Sequence, residues 1–117
     1  MAKLKIRVTP NSSLDEIEEA IEDVLNSGQK EIELKLIIKI VEALGGEHLF
    51  GKEGGKGSLA RFRYVGLEMY SKYFQDGQFG IHVIHGGKSN KKVYLVNIKK
   101  FLVPALRTII EMKRKGI

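Results

Sequence analysis

The chain contains no cysteine and no long run of apolar residues. Without cysteine, a disulfide scaffold, a thiolate-bound metal and a cysteine nucleophile are all excluded. The first residues alternate charged with apolar side chains, which is not the pattern of a signal peptide or a membrane helix. We therefore expect a cytoplasmic protein. The 117 residues, 43% of them hydrophobic, predict a single domain over residues 1–117.

Catalytic motifs are also missing. Residues 51–58 end in Lys-Gly-Ser, whereas a phosphate-binding loop requires Lys followed directly by Ser or Thr. His82 and His85 lie three positions apart on an expected strand, so their side chains point to opposite faces and do not share one metal. We expect no cofactor and no enzymatic activity. The alternative is a metal-dependent nuclease, since its acidic residues can be scattered without a local signature.

The charges are divided between the two parts of the chain. Residues 1–47 carry 6 Lys and Arg against 10 Asp and Glu, whereas residues 48–117 carry 14 against 4, within a total net charge of +6. A segregated positive part predicts a cationic surface that attracts a polyanion such as nucleic acid. The alternative is a thermophile-like surface rich in Lys and Glu, whose charges form stabilising networks.

The first part of the chain predicts a strand followed by two helices. Residues 3–9 alternate apolar and charged side chains, the pattern of a half-buried strand. A capping box and a row of acidic residues then predict a helix over residues 14–26. Residues 30–36 alternate like a strand, but residues 34–44 fit the helical period and end at a glycine pair. We favour a helix for this segment.

This opening resembles the archaeal chromatin protein family Alba. Asn26-Ser27-Gly28 is similar to the Asn-x-Gly turn that follows the first helix in that family. The resemblance implies an alternative fold with the order β-α-β-α-β-β. The chain departs from the family at residues 36–42, which are mostly apolar where the family has a basic stretch.

Residues 59–74 predict a third helix. Its apolar positions fall on one arc, which leaves Arg61, Tyr64 and Lys72 on the outward side. Arg and Lys side chains bind phosphates and guanine edges, so this stripe indicates a recognition helix for the major groove. An ordinary solvated face is the alternative.

Two strand-like runs follow, at residues 79–84 and 93–98. They predict a β-hairpin whose loop, residues 85–92, is rich in glycine and lysine. Such a loop is suited to contacts along a phosphate backbone, although lysines at a sheet edge also prevent aggregation.

The segment before the hairpin ends in Asp76-Gly77. A helix that ends at an acidic residue before a strand resembles the LAGLIDADG homing endonucleases. That resemblance implies Asp76 as a metal ligand, but residues 69–75 are bulky where the motif packs small residues. A turn aspartate is the alternative interpretation of this position.

A final helix over residues 104–115 begins at Pro104 and either closes the core or pairs with a second copy in a homodimer. We therefore expect an α+β, mainly helical, winged-helix-like domain that binds DNA, as a transcription regulator or an architectural protein. The alternative is a protein-interaction or self-assembly module with complementary acidic and basic faces. The predicted nucleic-acid-binding residues are Lys52, Lys56, Arg61, Arg63, Tyr64, Lys72, Lys88, Ser89, Asn90, Lys91 and Lys92.

Overall fold

A computed structural model of the chain describes residues 4–49, 59–70, 74–84 and 91–117, and it shows a mixed α+β fold. The elements, in chain order, are α1 (Leu14–Leu25), β1 (Glu31–Glu33), α2 (Leu34–Ala43), β2 (Glu47–Leu49), β3 (Leu59–Arg63), α3 (Leu67–Tyr70), β4 (Gln78–His82), β5 (Lys92–Tyr94), α4 (Leu95–Asn97) and α5 (Val103–Arg114). A 3-10 turn, Gln75–Gly77, precedes β4. A π-helical turn, Ile98–Leu102, joins α4 to α5 in one helical segment.

The strands form two small antiparallel sheets. One consists of β1 and β5, with Ile32 opposite Val93, and it ties the two ends of the fold together. The other has the order β2-β3-β4, so that Phe62 in the central strand lies opposite His48 and Phe79. These pairings support neither the winged-helix arrangement nor the Alba-like order.

Helix α1 forms as the capping box predicts. The Ser13 hydroxyl accepts a hydrogen bond from the Glu16 amide at 3.1 Å, and the Glu16 carboxylate accepts one from the Ser13 amide at 2.9 Å. Hydrogen bonding of the Glu16 carboxyl to the Ser13 amide, and to a smaller extent to the Ser13 side chain, lowers the pKa of Glu16. The apolar side of α1 is buried, and its acidic side faces outward.

Residues 30–44 contain both of the structures that their pattern indicated. The alternating part forms β1, and the helical part forms α2 from Leu34 to Ala43. The helix is followed by Gly45 at φ 91°, a backbone conformation that glycine adopts without strain.

Residues 4–9 form no strand, contrary to the prediction. The alternation is still visible in the burial, because Ile6 is buried while Lys5 and Arg7 are exposed. The Ile6 carbonyl accepts a hydrogen bond from the Lys39 ammonium at 3.1 Å, a side-chain contact in place of a strand partner.

The predicted helix over residues 59–74 was wrong. Its first part is the strand β3, in which Ala60 and Phe62 are buried and their neighbours are half-buried, a period of two. Gly66 has φ 95° and so interrupts a helix at this point. Val65 and Met69, which the prediction placed on the buried arc, are 83% and 93% exposed.

The hairpin prediction was wrong in its pairing. β4 pairs with β3 and β5 pairs with β1, and within the described residues a single bridge, Ile84 to Lys92, joins the two predicted strands. Residues 95–98 are helical instead of extended. The Leu95 amide still donates to the Lys30 carbonyl at 2.9 Å, next to the last pair of the β1–β5 ladder.

Helix α5 closes the core, which was the first of the two expected roles. Its apolar side chains are buried, and Ala105 and Ile109 have no exposed surface. That face is therefore occupied within one chain, and it gives no support to a homodimer formed through residues 104–115. None of the helices in the described residues is long and apolar enough to span a membrane.

Gly77 provides a test of the turn before β4. A Cβ at this position would lie 2.5 Å from the Tyr64 carbonyl oxygen, and the residue has φ 67°. We expect Gly77→Ala to reduce the free energy of unfolding by the cost of this backbone conformation, about 1–2 kcal/mol, and by about 1 kcal/mol or more for the clash.

The matched control is Gly28→Ala, since Gly28 has φ 76° but nothing within 4 Å of an added Cβ. The free energy of unfolding of this variant should fall only by the cost of the backbone conformation, about 1–2 kcal/mol. Denaturant unfolding of both variants measures the difference. Equal losses would show that the close approach to Tyr64 is absent.

Candidate nucleic-acid interface

The structure describes five of the eleven predicted binding residues, and it does not gather them on one helix. Arg61 and Arg63 lie on β3, and Tyr64 follows that strand. Lys91 directly precedes β5, and Lys92 is its first residue. The other six predicted residues, Lys52, Lys56, Lys72, Lys88, Ser89 and Asn90, lie outside the described residues.

The two arginines lie on the side of the three-stranded sheet that faces away from Phe62. Arg63 binds Glu47 on the neighbouring strand, with its Nη2 atom 2.6 Å and its Nε atom 2.7 Å from the same carboxylate oxygen. Arg61 is half-buried beside Gly80, and its Nε atom is buried without a hydrogen-bond partner. Neither side chain projects as a recognition helix would require.

Tyr64 is already used inside the chain. The Lys113 ammonium lies over its ring, 5.8 Å from the centroid. A second lysine of α5 also contacts a tyrosine: the Lys115 ammonium donates a hydrogen bond to the Tyr70 hydroxyl at 2.9 Å. The hydrogen bonds from Lys115 to Tyr70 and to Glu111 raise the pKa of the lysine. The cations at this end of α5 are thus engaged by tyrosines.

A set of ion pairs joins α1 to α5, and we call it the helix clasp. It consists of Arg107 with Glu22 at 3.4 Å, Arg114 with Asp15 at 2.9 Å, and Arg114 with Glu18. The pairs border a groove of about 470 Å³ between the two helices. The acidic part of the chain therefore neutralises some of the basic part.

Several basic side chains of the described residues have no such pair; Lys5, Arg7 and Lys30 are among them, and four further lysines belong to the C-terminal part of the chain. Within the residues that the structure describes, no ion pair or hydrogen bond joins the ammonium groups of Lys91, Lys92, Lys99 or Lys100 to another side chain. Lys92 lies opposite Glu33 in the β1–β5 ladder, but Glu33 pairs with Lys35 at 3.1 Å.

Exposed apolar side chains alternate with these lysines in the sequence. Tyr94 is 45%, Val96 58% and Phe101 50% exposed. We call this region the lysine–aromatic surface, and it consists of Lys91, Lys92, Tyr94, Val96, Lys99, Lys100 and Phe101. Cations interleaved with aromatic rings are typical of surfaces that bind nucleic acid.

The π-helical turn explains why three neighbouring residues of this surface point outward. In the turn, the Val103 amide donates to the Ile98 carbonyl, five residues earlier. The turn is wider than an α-helical turn, and both of its ends, Ile98 and Leu102, are buried in the core. The residues between them, Lys99, Lys100 and Phe101, are therefore all exposed.

The predictions from sequence missed Tyr94, Val96, Lys99, Lys100 and Phe101. A signal for them is present, because no Asp or Glu occurs between Asp76 and Glu111. This uninterrupted basic stretch includes the whole lysine–aromatic surface. Counting charge over the entire C-terminal part obscured it, since the clasp residues at the end of α5 contributed equally to that total.

Metal binding has no support in the described residues, where no three His, Asp or Glu side chains come together. Asp76 is exposed and has φ 56° in the turn before β4. Asp adopts this left-handed conformation more readily than most residues, as expected for a turn aspartate.

His48 lies on the opposite side of the β2–β3–β4 sheet from the arginines. Its ring is half-buried and lies 5.2 Å from the Phe62 ring, centroid to centroid. Burial lowers the pKa of His48; Glu42 raises it and Lys91 lowers it, both to a lesser extent. Its packing between β2 and β3 thus favours the neutral form of the ring.

Comparison with protein-family models, with curated protein sequences and with solved structures finds no match to this chain. The resemblances to Alba and to the LAGLIDADG endonucleases therefore gain no support. The function has to be argued from the residues themselves.

The lowered pKa of His48 predicts how stability depends on pH. The folded state favours the neutral ring, so its contribution is complete above the ordinary pKa of 6.5 and is lost as the pH falls below that value. We expect the free energy of unfolding to decrease between about pH 7.5 and 5.5, and His48→Gln to flatten this decrease.

The matched control is His82→Gln, since the His82 side chain is exposed on β4. This variant should retain the decrease shown by the wild-type protein. Denaturant unfolding at several pH values measures all three proteins. The same pH dependence in wild-type and His48→Gln proteins would contradict the assignment.

Proposed function

We propose that the protein binds nucleic acid through the lysine–aromatic surface. The observation that carries this proposal is the exposed run Lys99-Lys100-Phe101, which lies close in sequence to Lys91 and Lys92 and contains no carboxylate. Arg63 and the two clasp arginines are ion-paired, whereas these four lysines are not, within the described part of the chain.

Unpaired cations are better phosphate ligands than paired ones. A lysine in water binds a phosphate and releases the counterions condensed there, which is the main source of non-specific affinity for nucleic acid. An arginine of the helix clasp has to give up its carboxylate first. The lysine–aromatic surface can therefore bind a polyanion without first breaking an ion pair.

The way of binding differs from the one expected from sequence. Residues 59–63 form a strand and the described part of α3 spans only Leu67–Tyr70, so we do not propose that this segment reads the major groove. Contacts to phosphates fix a protein on nucleic acid without reading its sequence. We therefore favour an architectural or protective role over that of a sequence-specific regulator.

The predicted binding loop continues this surface in the sequence. Lys88, Ser89 and Asn90 directly precede Lys91 in the sequence, and Lys92 forms a bridge with Ile84. Replacing Lys88, Lys91 and Lys92 together by Ala would therefore test the same surface from its other end.

The alternative was an assembly module with complementary acidic and basic faces. In the structure these faces already contact each other within one chain, through Arg107 and Arg114 on α5 and the carboxylates of α1. No observation in the described residues favours the same contact between two chains.

The double variant Lys99→Ala with Lys100→Ala tests the proposal. We expect weaker binding to every nucleic-acid sequence, and a salt dependence of log affinity that is shallower by about 0.7–0.9 for each lost phosphate contact. Fluorescence anisotropy at several salt concentrations measures both quantities.

The matched control is the double variant Arg107→Ala with Arg114→Ala, which removes the same net charge from the same helical segment. It should retain more of the affinity and a steeper salt dependence, because these arginines are occupied by carboxylates. Equal effects of the two double variants would show that only net charge matters, and unchanged binding in the lysine variant would remove this surface from the site.

A further inference from the structure

Two aromatic rings on the lysine–aromatic surface have no role in the core. The ring contacts found in the described residues join side chains around Phe62 and Phe79, and they do not involve Tyr94 or Phe101. Phe101 exposes half of its surface and has no polar atom that would benefit from water. Burying such a ring against a ligand is favourable.

The rings lie at the two ends of the exposed lysine pair. Phe101 lies seven positions after Tyr94, and nearly all of this stretch is helical. With a rise of about 1.5 Å per residue, the two backbone positions are about 10 Å apart along the helix axis. Lys99 and Lys100 lie between them in sequence, so cationic and aromatic groups occupy one short exposed stretch.

This combination suits unpaired bases better than a duplex. In a duplex the faces of the bases are stacked on each other, and the groove edges offer a Phe ring little apolar surface beyond the thymine methyl groups. In a single strand each base presents a face that stacks on an aromatic side chain, while lysines follow the backbone.

We infer that the ligand of the lysine–aromatic surface is single-stranded nucleic acid, with bases stacked on Phe101 and Tyr94 and with phosphates bound by Lys99 and Lys100. The inference rests on the proposed function and adds the class of nucleic acid to it. Stacking is tolerant of base identity, so the binding is independent of sequence.

The charge of the surface favours a polyanion over an uncharged protein or peptide. An apolar partner covering Phe101 and Val96 would also desolvate neighbouring lysines, for which it offers no counter-charge. A strand of phosphates neutralises these lysines and supplies aromatic bases at the same time.

The variants Phe101→Ala and Phe101→Leu test the inference. Their affinity is measured by fluorescence anisotropy for a labelled oligo-dT strand and for a duplex hairpin with the same number of phosphates. We expect Phe101→Ala to weaken binding of the single strand by about five- to a hundredfold, with an unchanged salt dependence and little effect on the duplex. Phe101→Leu keeps an apolar side chain and should lose most of the same affinity.

The matched control is Met69→Ala, which removes another exposed apolar side chain, 93% exposed on α3 and outside the lysine–aromatic surface. It should bind both nucleic acids as the wild-type protein does. Thermal unfolding of each variant checks that the fold is retained.

Tyrosine emission provides a second measurement, because the chain has four tyrosines and no tryptophan. Oligo-dT should quench the emission of the wild-type protein, and Tyr94→Phe should reduce the quenching while it keeps the affinity. Unchanged quenching in Tyr94→Phe would overturn stacking on that ring.

The outcomes distinguish this inference from the proposed function. If the lysine double variant weakens binding but Phe101→Ala affects single strand and duplex equally or not at all, the proposed function stands and stacking is overturned. If the wild-type protein binds neither nucleic acid, both are overturned.

Discussion

The ion pairs between α1 and α5 bring the acidic and the basic parts of the chain into direct contact. Arg114 lies between Asp15 and Glu18, and Arg107 contacts Glu22. Each exposed pair contributes little stability, about 0–1 kcal/mol. Its greater effect is on the electrostatic surface, because the negative part of the chain cancels the positive charge at the C-terminal end of α5 and leaves the N-terminal end of that helical segment uncompensated.

The parts of the fold that could be predicted from sequence are those fixed by local signals. The capping box of α1, the helical period of α2 and Pro104 at the start of the last helix each act within a few residues, and all three elements form. Residues 59–63 could not be assigned in this way, because Phe62 fits both a helical arc and an alternating strand. The choice depends on β2 and β4, which pair with this strand on either side.

Of the lysine–aromatic surface, only Lys91 and Lys92 were among the binding residues predicted from sequence. Segregated charge indicated a cationic surface, yet the sequence does not show which cations lie opposite carboxylates. Lys99, Lys100 and Phe101 were missed because they fall between the strand expected up to residue 98 and the helix expected from residue 104. The π-helical turn that exposes them arises from the packing of Ile98 and Leu102 in the core, which no local pattern reports.

The most direct test of the account is an NMR titration of the protein with a single-stranded oligonucleotide, followed through the backbone amides. The account predicts that shift changes are concentrated in residues 91–101, and that the amides of α1 and of residues 113–115 change little. Changes centred on the helix clasp, or spread evenly over the described residues, would contradict it.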